Sequence, residues 1–367
     1  MKLAIVCDDL IQKGGAEKVL EAVSDIFPEA PIYTSVASGE WLGKFEEKSR
    51  VVKTSFLQKF PFSVKLNRYY SPFLLHILAF ESFDFSEYDV VLSLSSRYAH
   101  FIITKPGTKH ICYMHSPGRM FWEPFDYFES ESFGILKPLK FLADIFLKLP
   151  LSYIRMADLN ASKKVDVFLA NSLTSQKRIK KYYRRDSEIL YPFIDFEKFK
   201  EVSPVSGSYY LVITRLSPWK KVDIAINACE NLGESLKIIG EGPDLQRLKS
   251  LSDQHTEFLG YVSEGEIIEI IRNCKAVIIT QKEDFGIVPL EAMACGKPVI
   301  AFGVGGATET VLQNETGEFF EKQKPYSLEK ILAEFNLGKY DPVSCKNRAR
   351  DFDRKIFESE IKRFVNV

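Results

Sequence analysis

Two glutamates, Glu283 and Glu291, stand with seven residues between them in Glu283-Asp284-Phe285-Gly286-Ile287-Val288-Pro289-Leu290-Glu291. The apolar run Ala276 to Ile279 before them reads as a buried strand, and Phe285-Gly286-Ile287 as a tight turn into a helix. Pro289 suits a first helical turn, where its missing N–H is no loss. The backbone N–H groups of Gly286, Ile287 and Val288 would then project from a helix start and attract an anion. The flanking carboxylates can accept hydrogen bonds from hydroxyls, so the chemistry indicated is recognition of a phosphate-bearing, hydroxyl-rich ligand. Countercharge lies upstream. Arg215 and Lys220, five positions apart after the strand Tyr209 to Thr214, can both reach one diphosphate, Arg as a planar fork and Lys as a point charge. Glu291 is placed for a ribose diol and Glu283 for hydroxyls beyond the diphosphate. Gly242, in the turn Gly240-Glu241-Gly242-Pro243, lets a ligand lie close. The strand Phe258 to Val262, with Tyr261, could wall a nucleobase. His115 ends a further strand; a lone histidine is by default a core group, but its Pro117 and Trp122 context favours a ligand. Gly14-Gly15 opens a helix after the first strand, where amides can face a ligand or simply start the helix.

Strands must present these residues at their carboxyl ends. Lys2 to Cys7, Pro31 to Val36, Val90 to Leu94, His110 to Met114 and Val165 to Asn171 read as buried strands, with helices from Ala16 and, capped by Asn171-Ser172, from Thr174. Asp8-Asp9 reads as an ordinary strand-end loop and not as a metal motif. Tyr191 to Ser208, with Pro192 and Pro204, is the best linker. Strand–helix alternation then restarts through strands at Tyr209 to Thr214, Leu236 to Ile239, Phe258 to Val262, Ala276 to Ile279 and Pro298 to Phe302. Gly296 closes the helix after Glu291, and Lys297 suits its negative pole. The expected fold is α/β, with two doubly wound, Rossmann-like domains facing across a cleft: residues 1–190, a linker 191–208, and residues 209–343, with a helical segment 344–367 crossing back.

The totals narrow the function. In 367 residues, 49 lysines and arginines balance 49 aspartates and glutamates, so bulk charge gives no argument for nucleic acid. Six scattered cysteines form no CxxC pair, which points to buried thiols in a reducing compartment rather than to zinc or disulfides. The N-terminal strand meets acids too early for a signal peptide, and no run is long enough to span a membrane. A cytoplasmic protein is expected. Two aromatic–basic segments, 56–80 and 133–153, read as packed helices with one face left for a membrane surface or a lipid acceptor. The absence of Gly-x-Gly-x-x-Gly after the first strand argues against a dinucleotide dehydrogenase.

Taken in order, these motifs resemble the retaining glycosyltransferases of the GT-B fold, glycosyltransferase family 4 (glycosyl transferases group 1). The stretch Glu283 to Ala301 is similar to the family signature. Gly305-Gly306-Ala307-Thr308-Glu309 is similar to its Gly-Gly-x-Pro-Glu segment, with Thr308 in place of proline loosening the turn. Arg215 to Lys220 resembles its Arg-x-x-x-x-Lys element and Gly14-Gly15-Ala16-Glu17 its glycine loop. The resemblance implies that Arg215 and Lys220, with the amides of Gly286, Ile287 and Val288, neutralise a diphosphate leaving group. Spacing favours Lys220 over Lys221. It further implies that Glu291 holds the ribose, Glu283 the donor sugar, and His115 the sugar or acceptor. Gly14 and Gly15 approach phosphate or acceptor, and Gly242, Tyr261 and Phe285 complete the nucleotide-sugar site. No metal or other cofactor is implied. His115 to Glu123 resembles the matching segment of some bacterial mannosyltransferases that build surface polysaccharide. GDP-mannose is thus the first donor expected and UDP-sugars the second, with a saccharide or lipid-linked acceptor. Rival readings are a nucleotide-sugar epimerase of the same fold and a sugar-nucleotide-binding protein without turnover.

Overall fold

The computed structural model describes residues 1–67, 74–124, 148–199 and 201–366. They cluster into two units: the described residues up to Tyr191 and from Glu358 onward form unit 1, and Pro192–Phe357 form unit 2.

Unit 1 is built on seven parallel strands in the order β3-β2-β1-β4-β5-β6-β7. They are β1 Leu3–Cys7, β2 Ile32–Thr34, β3 Val52–Thr54, β4 Val90–Ser95, β5 Lys109–Met114, β6 Val167–Ala170 and β7 Glu188–Ile189. β1, β4 and β5 are the long central strands, and β1 and β4 are buried at every position, as strands of a parallel sheet covered on both faces should be. Their register puts Leu3 beside Val90 and Cys7 beside Leu94, so β1 and β4 end level and present their following loops together. The helix Gly15–Ile26 returns from β1 with Val19, Leu20, Ala22 and Val23 buried. The helix Leu173–Tyr183 is capped by Ser172, whose Oγ accepts from Ser175 N at 3.0 Å; removing such a cap costs about 1 kcal/mol.

Unit 2 repeats the plan with six parallel strands in the order β10-β9-β8-β11-β12-β13. These are β8 Tyr209–Ile213, β9 Leu236–Ile239, β10 Thr256–Gly260, β11 Cys274–Ile279, β12 Val299–Phe302 and β13 Gly317–Phe320. The helices Val222–Leu232 and Pro325–Glu334 supply Ile224, Ala225, Leu328 and Leu332 to the core on Tyr210, Ile238 and Ile278. The doubly wound fold is therefore as expected, and the differences are local. The short edge strands β3, β7 and β13 carried too few residues to show a period.

The stretch 191–208 is no free linker. Ile194 N donates to Phe352 O at 3.0 Å and Val205 N to Arg272 O at 3.2 Å, because Ile194, Phe196 and Phe199 are apolar and buried in unit 2. The closing segment is two helices, Pro342–Arg350 and Arg354–Asn366. The first packs on the helix Val288–Ala294; the last turns of the second join unit 1, where Lys109 Nζ donates to Phe364 O at 3.2 Å. All six cysteines are buried and free. No helix among the described residues is long and apolar enough to cross a membrane. Residues 68–73 of the segment 56–80, and 133–147 of the segment 133–153, lie outside the described residues.

Candidate functional site

In unit 2 the acid-bearing loop leaves the carboxyl end of β11. Glu283 pairs with Gly305 in an isolated parallel bridge, and Gly306 N donates to Glu283 O at 2.8 Å. A methyl group on Gly305 would sit 2.4 Å from the Glu283 carbonyl oxygen, and one on Gly306 would sit 2.1 Å from that of Phe285. Gly305 also has φ +83°, where a side chain is strained. The glycine pair is thus what lets the following loop lie against the Glu283 loop and fix it. Thr308 strengthens this turn instead of loosening it. Both its N–H (3.1 Å) and its Oγ1 (2.8 Å) donate to Gly305 O, and a proline could make neither bond.

The Glu283 carboxylate accepts from Gln281 Nε2 at 2.8 Å and forms an ion pair with Lys220 Nζ. Lys220 is held in turn: its Nζ lies 4.1 Å from the centre of the Trp219 ring, and its carbonyl accepts from Thr280 Oγ1 at 2.7 Å. The two side chains are only 12% and 24% exposed. Lys221, by contrast, is exposed, with φ +54°, as the N-cap of the helix Val222–Leu232. Adjacent lysines therefore have different jobs, and only Lys220 joins the carboxylate. Arg215 stands exposed on the same loop. Gly242 admits the protein's own backbone, since a methyl there would lie 2.1 Å from Leu216 O.

The remaining unit 2 positions divide. Gly286, at φ +88°, makes the turn, and a methyl on it would come 3.1 Å from Glu283 Oε2. Ile287 caps the helix Val288–Ala294, which puts Glu291 in its first turn, half-buried. Phe285 is buried, its ring 5.7 Å from that of Phe352, so its side chain anchors the loop and does not line a ligand site. Tyr261 lies beyond β10 with 80% of its surface exposed; within unit 2 its ring is a solvent-facing group, not part of a wall. Lys297 is not a helix-pole cation. It is 1% exposed and donates to Val205 O at 2.6 Å and Cys274 O at 2.7 Å, stitching 191–208 to β11.

In unit 1, Asp8-Asp9 is far from an ordinary loop. The Asp8 carboxylate accepts four backbone N–H groups, from Ser96 (2.6 Å), Arg97 (2.9 Å), Tyr98 (2.8 Å) and Ala99 (2.8 Å), and so shapes the loop after β4. Asp9 is buried, accepts from Asn67 Nδ2 at 2.6 Å and pairs with Arg97. Beside them Glu17, in the first turn of the helix Gly15–Ile26, is buried at 7% exposure. Burial, reinforced by Asp9 and Asp8 and opposed by its own backbone amide and by Arg97, raises its carboxyl from 4.5 to about 7. These groups line a cavity of about 250 Å³ together with Gln12, Ala16 and His115. His115 is fixed at the end of β5 by its N–H to Ser95 O (2.9 Å) and its carbonyl from Ser175 Oγ (2.7 Å). So the structure brings His115 to one cavity with Ala16 and Glu17, which follow Gly14-Gly15. Sequence reasoning missed Asp9, Glu17 and Arg97; the available signal was an acid, Glu17, one turn before Leu20 on the buried face of an amphipathic helix.

The segment after His115 is largely scaffold. Arg178 is buried and forks onto Glu123 (2.8 and 2.9 Å) while donating to Ser116 Oγ at 3.0 Å. Burial raises the Glu123 carboxyl, but Arg178, Tyr182 and Arg119 together outweigh it and the net displacement is downward. Trp122 donates to Asp158 at 2.6 Å and stacks on Tyr182. A Ser95–His100–Asp158 chain, at 2.9 and 3.0 Å, has the residue types of a hydrolytic triad but is sealed in the core, so it supports structure.

Residues 193–352 match the family Glycosyl transferases group 1. The chain is 33% identical over 165 residues to Uncharacterized glycosyltransferase MJ1178 of Methanocaldococcus jannaschii, covering 43% of this chain and 47% of that protein. It is 27% identical over 241 residues to Alpha-1,3/1,6-mannosyltransferase ALG2 of Homo sapiens, covering 54% and 58%. The chain thus spans about half the length of these relatives. Among solved structures, Anabaena Alr3699/HepE in complex with UDP aligns with TM-score 0.72 at 18% identity, over 100% of both chains. Sucrose-phosphate synthase from Thermosynechococcus elongatus aligns with TM-score 0.70 at 14% identity, over 99% of this chain and 98% of that one. At these identities the likeness establishes the fold, which is GT-B with two Rossmann-like units.

Proposed function

We propose that the protein is a retaining, metal-independent hexosyltransferase. It moves a sugar from a nucleotide-diphosphate donor to a saccharide or lipid-linked acceptor in the synthesis of surface polysaccharide or glycolipid, at the cytoplasmic side of a membrane. The observation that carries this reading is the Lys220–Glu283 pair beneath the Gly305-Gly306 turn. It sets a cation for phosphate directly beside a carboxylate for hydroxyls, on a loop too constrained to be a casual surface contact. Arg215, exposed on the adjoining loop, adds the second cation, and Glu291 holds the ribose. Charge on the departing diphosphate grows as the sugar–phosphate bond breaks. Each well-aimed donor stabilises that charge by roughly 3 kcal/mol, so side-chain cations can do the work of a metal. The similarity to a mannosyltransferase supports GDP-mannose as donor. A UDP-sugar is the second reading, favoured by a fold neighbour that is solved with UDP.

The test is a thermal-shift screen of GDP, UDP and their sugar conjugates, followed by turnover with excess chelator. One nucleotide series should stabilise the protein. Glu283→Gln should keep nucleotide binding and lose transfer by at least about a hundredfold, as for removal of one preorganised transition-state group. Transfer near the wild-type rate in Glu283→Gln, or activity that disappears with chelator, overturns the mechanism. Donor turnover with no acceptor would favour an epimerase, and binding without any turnover a sugar-nucleotide-binding protein.

A further inference from the structure

Strand β11 ends in the apolar run Ala276 to Ile279, and the next two residues, Thr280 and Gln281, are polar yet buried. A buried polar side chain costs free energy unless it is hydrogen-bonded, and glutamine is seldom found inside. Both are bonded, and both to one pair. Thr280 Oγ1 donates to Lys220 O at 2.7 Å, and Gln281 Nε2 donates to the Glu283 carboxylate at 2.8 Å. One residue thus holds the backbone of the cation and the other the side chain of the acid. The Gln281 amide and the Lys220 ammonium meet on the same oxygen, Glu283 Oε1, so two loops fix the rotation of that carboxylate. Behind them Gln323, from the loop after β13, donates through Nε2 to Thr280 O at 2.9 Å. β12 lies between β11 and β13 in the sheet, so this tie reaches across a strand. None of the three side chains is charged, so they orient the pair without neutralising either member. Groups that act on a growing charge work best when held in place before the reaction, by neighbours that are themselves locked.

We infer that Thr280 and Gln281 are positioning residues for the Lys220–Glu283 pair, with Gln323 supporting Thr280. Thr280 sets where Lys220 stands for the diphosphate, and Gln281 sets how the Glu283 carboxylate faces the sugar. Both act through that pair. The inference rests on the proposed transfer and deepens it, because it divides the support of the site into a phosphate half and a sugar half. Loss of the first is read in nucleotide affinity, and loss of the second in turnover.

The experiment uses the full chain with Thr280→Val, Thr280→Ser, Gln281→Met and Gln281→Glu. Calorimetry with GDP and UDP reads the phosphate half, and kcat for transfer from the nucleotide-sugar reads the sugar half. A third measurement needs no turnover: NMR of isotope-labelled glutamate carboxyls, with the Glu283 signal identified by its loss in Glu283→Gln, follows the titration of that group. Thr280→Val should weaken the nucleotide that the wild type binds by about tenfold, and Thr280→Ser should restore it. Gln281→Met should leave nucleotide affinity within about twofold and lower kcat by about tenfold, the scale of one hydrogen bond to a charged group. It should also raise the pH at which Glu283 titrates by about one pH unit, because a donor to the charged form is gone. Gln281→Glu sets a second carboxyl at hydrogen-bond distance from Glu283, so the two keep a proton to higher pH, and kcat should recover as pH falls. That variant carries the test if Gln281→Met does not fold. Equal losses of affinity and kcat in Thr280→Val and in Gln281→Met overturn the inference, because they mark a general loosening of the loop. Unchanged affinity in Thr280→Val, no restoration in Thr280→Ser, unchanged kcat in Gln281→Met, or a Glu283 titration that neither Gln281 variant moves overturns it as well. A wild-type protein that transfers no sugar fails the proposed function, while calorimetry and the Glu283 titration still decide the positioning roles.

Discussion

Glu17→Gln should stabilise the protein increasingly above about pH 4.5, and by its full amount above about pH 7. Glu17 keeps its carboxyl in a pocket walled by Asp8 and Asp9 from the loop after β1, Arg97 from the loop after β4, and His115 from the end of β5, with Cys7 close behind. Raising a carboxyl from 4.5 to about 7 sets a ceiling of about 3 kcal/mol, at ~1.4 kcal/mol for each tenfold change in proton affinity. The sign follows from where the proton is. Below pH 4.5 both folded and unfolded chains hold it, and no penalty exists. Between 4.5 and 7 the unfolded chain ionises first, and the folded state loses stability as pH rises. Above 7 the loss is complete. Glutamine carries no charge at any pH, so it is spared, less whatever its amide fails to bond. At ~2–4 °C per kcal/mol for a unit of this size, the unit 1 transition in Glu17→Gln should melt about 5–10 °C above wild type at pH 8, and within about 2 °C of it at pH 5. Thermal unfolding of both proteins across that range measures the difference directly. The facing groups are the same in both chains, so a difference that is flat with pH would refute the argument whatever its size.

Two further outcomes test unit 2. Lys220→Ala should weaken nucleoside-diphosphate binding by at least about tenfold, the scale of one charge-assisted hydrogen bond. Lys221→Ala should leave it within about twofold, and equal losses measured by calorimetry would remove the distinction between the half-buried and the exposed lysine. Lys297→Met should destabilise unit 2 by about 2–4 kcal/mol, because it strips the donor from two carbonyls, Val205 and Cys274, at about 1–3 kcal/mol per buried orphan; a urea midpoint equal to wild type would show that the lysine is dispensable.

What could be read from the sequence was whatever a local pattern carries. The central strands β1 and β8 are unbroken apolar runs, β4, β5 and β11 are mostly apolar, and the glycine turns at Gly14 and Gly286 open helices as expected. Lost were properties that depend on partners far along the chain. Lys220 meets Glu283 across 63 residues, and no spacing rule predicts a contact of that length. Lys297 looks like a helix-end cation beside Gly296, yet two carbonyls 92 and 23 residues away decide its place. Phe285 sits inside the most informative motif, and packing on Phe352 turns it inward. Trp122 and Glu123 belong to the segment that suggested a mannosyl donor, but their contacts run to Asp158, Tyr182 and Arg178. That part of the resemblance therefore bears on how the loop after His115 is braced, and only weakly on which sugar is bound.

The two acid-bearing loops differ in how their charge is met. In unit 2 the Glu283 carboxylate is matched by Lys220, with Arg215 exposed on the adjoining loop. In unit 1 Arg97 is paired with Asp9, and no donor among the described residues reaches Glu17 Oε2. Keeping a carboxyl buried with its affinity for protons raised is a stability loss of the kind folded proteins retain at working sites.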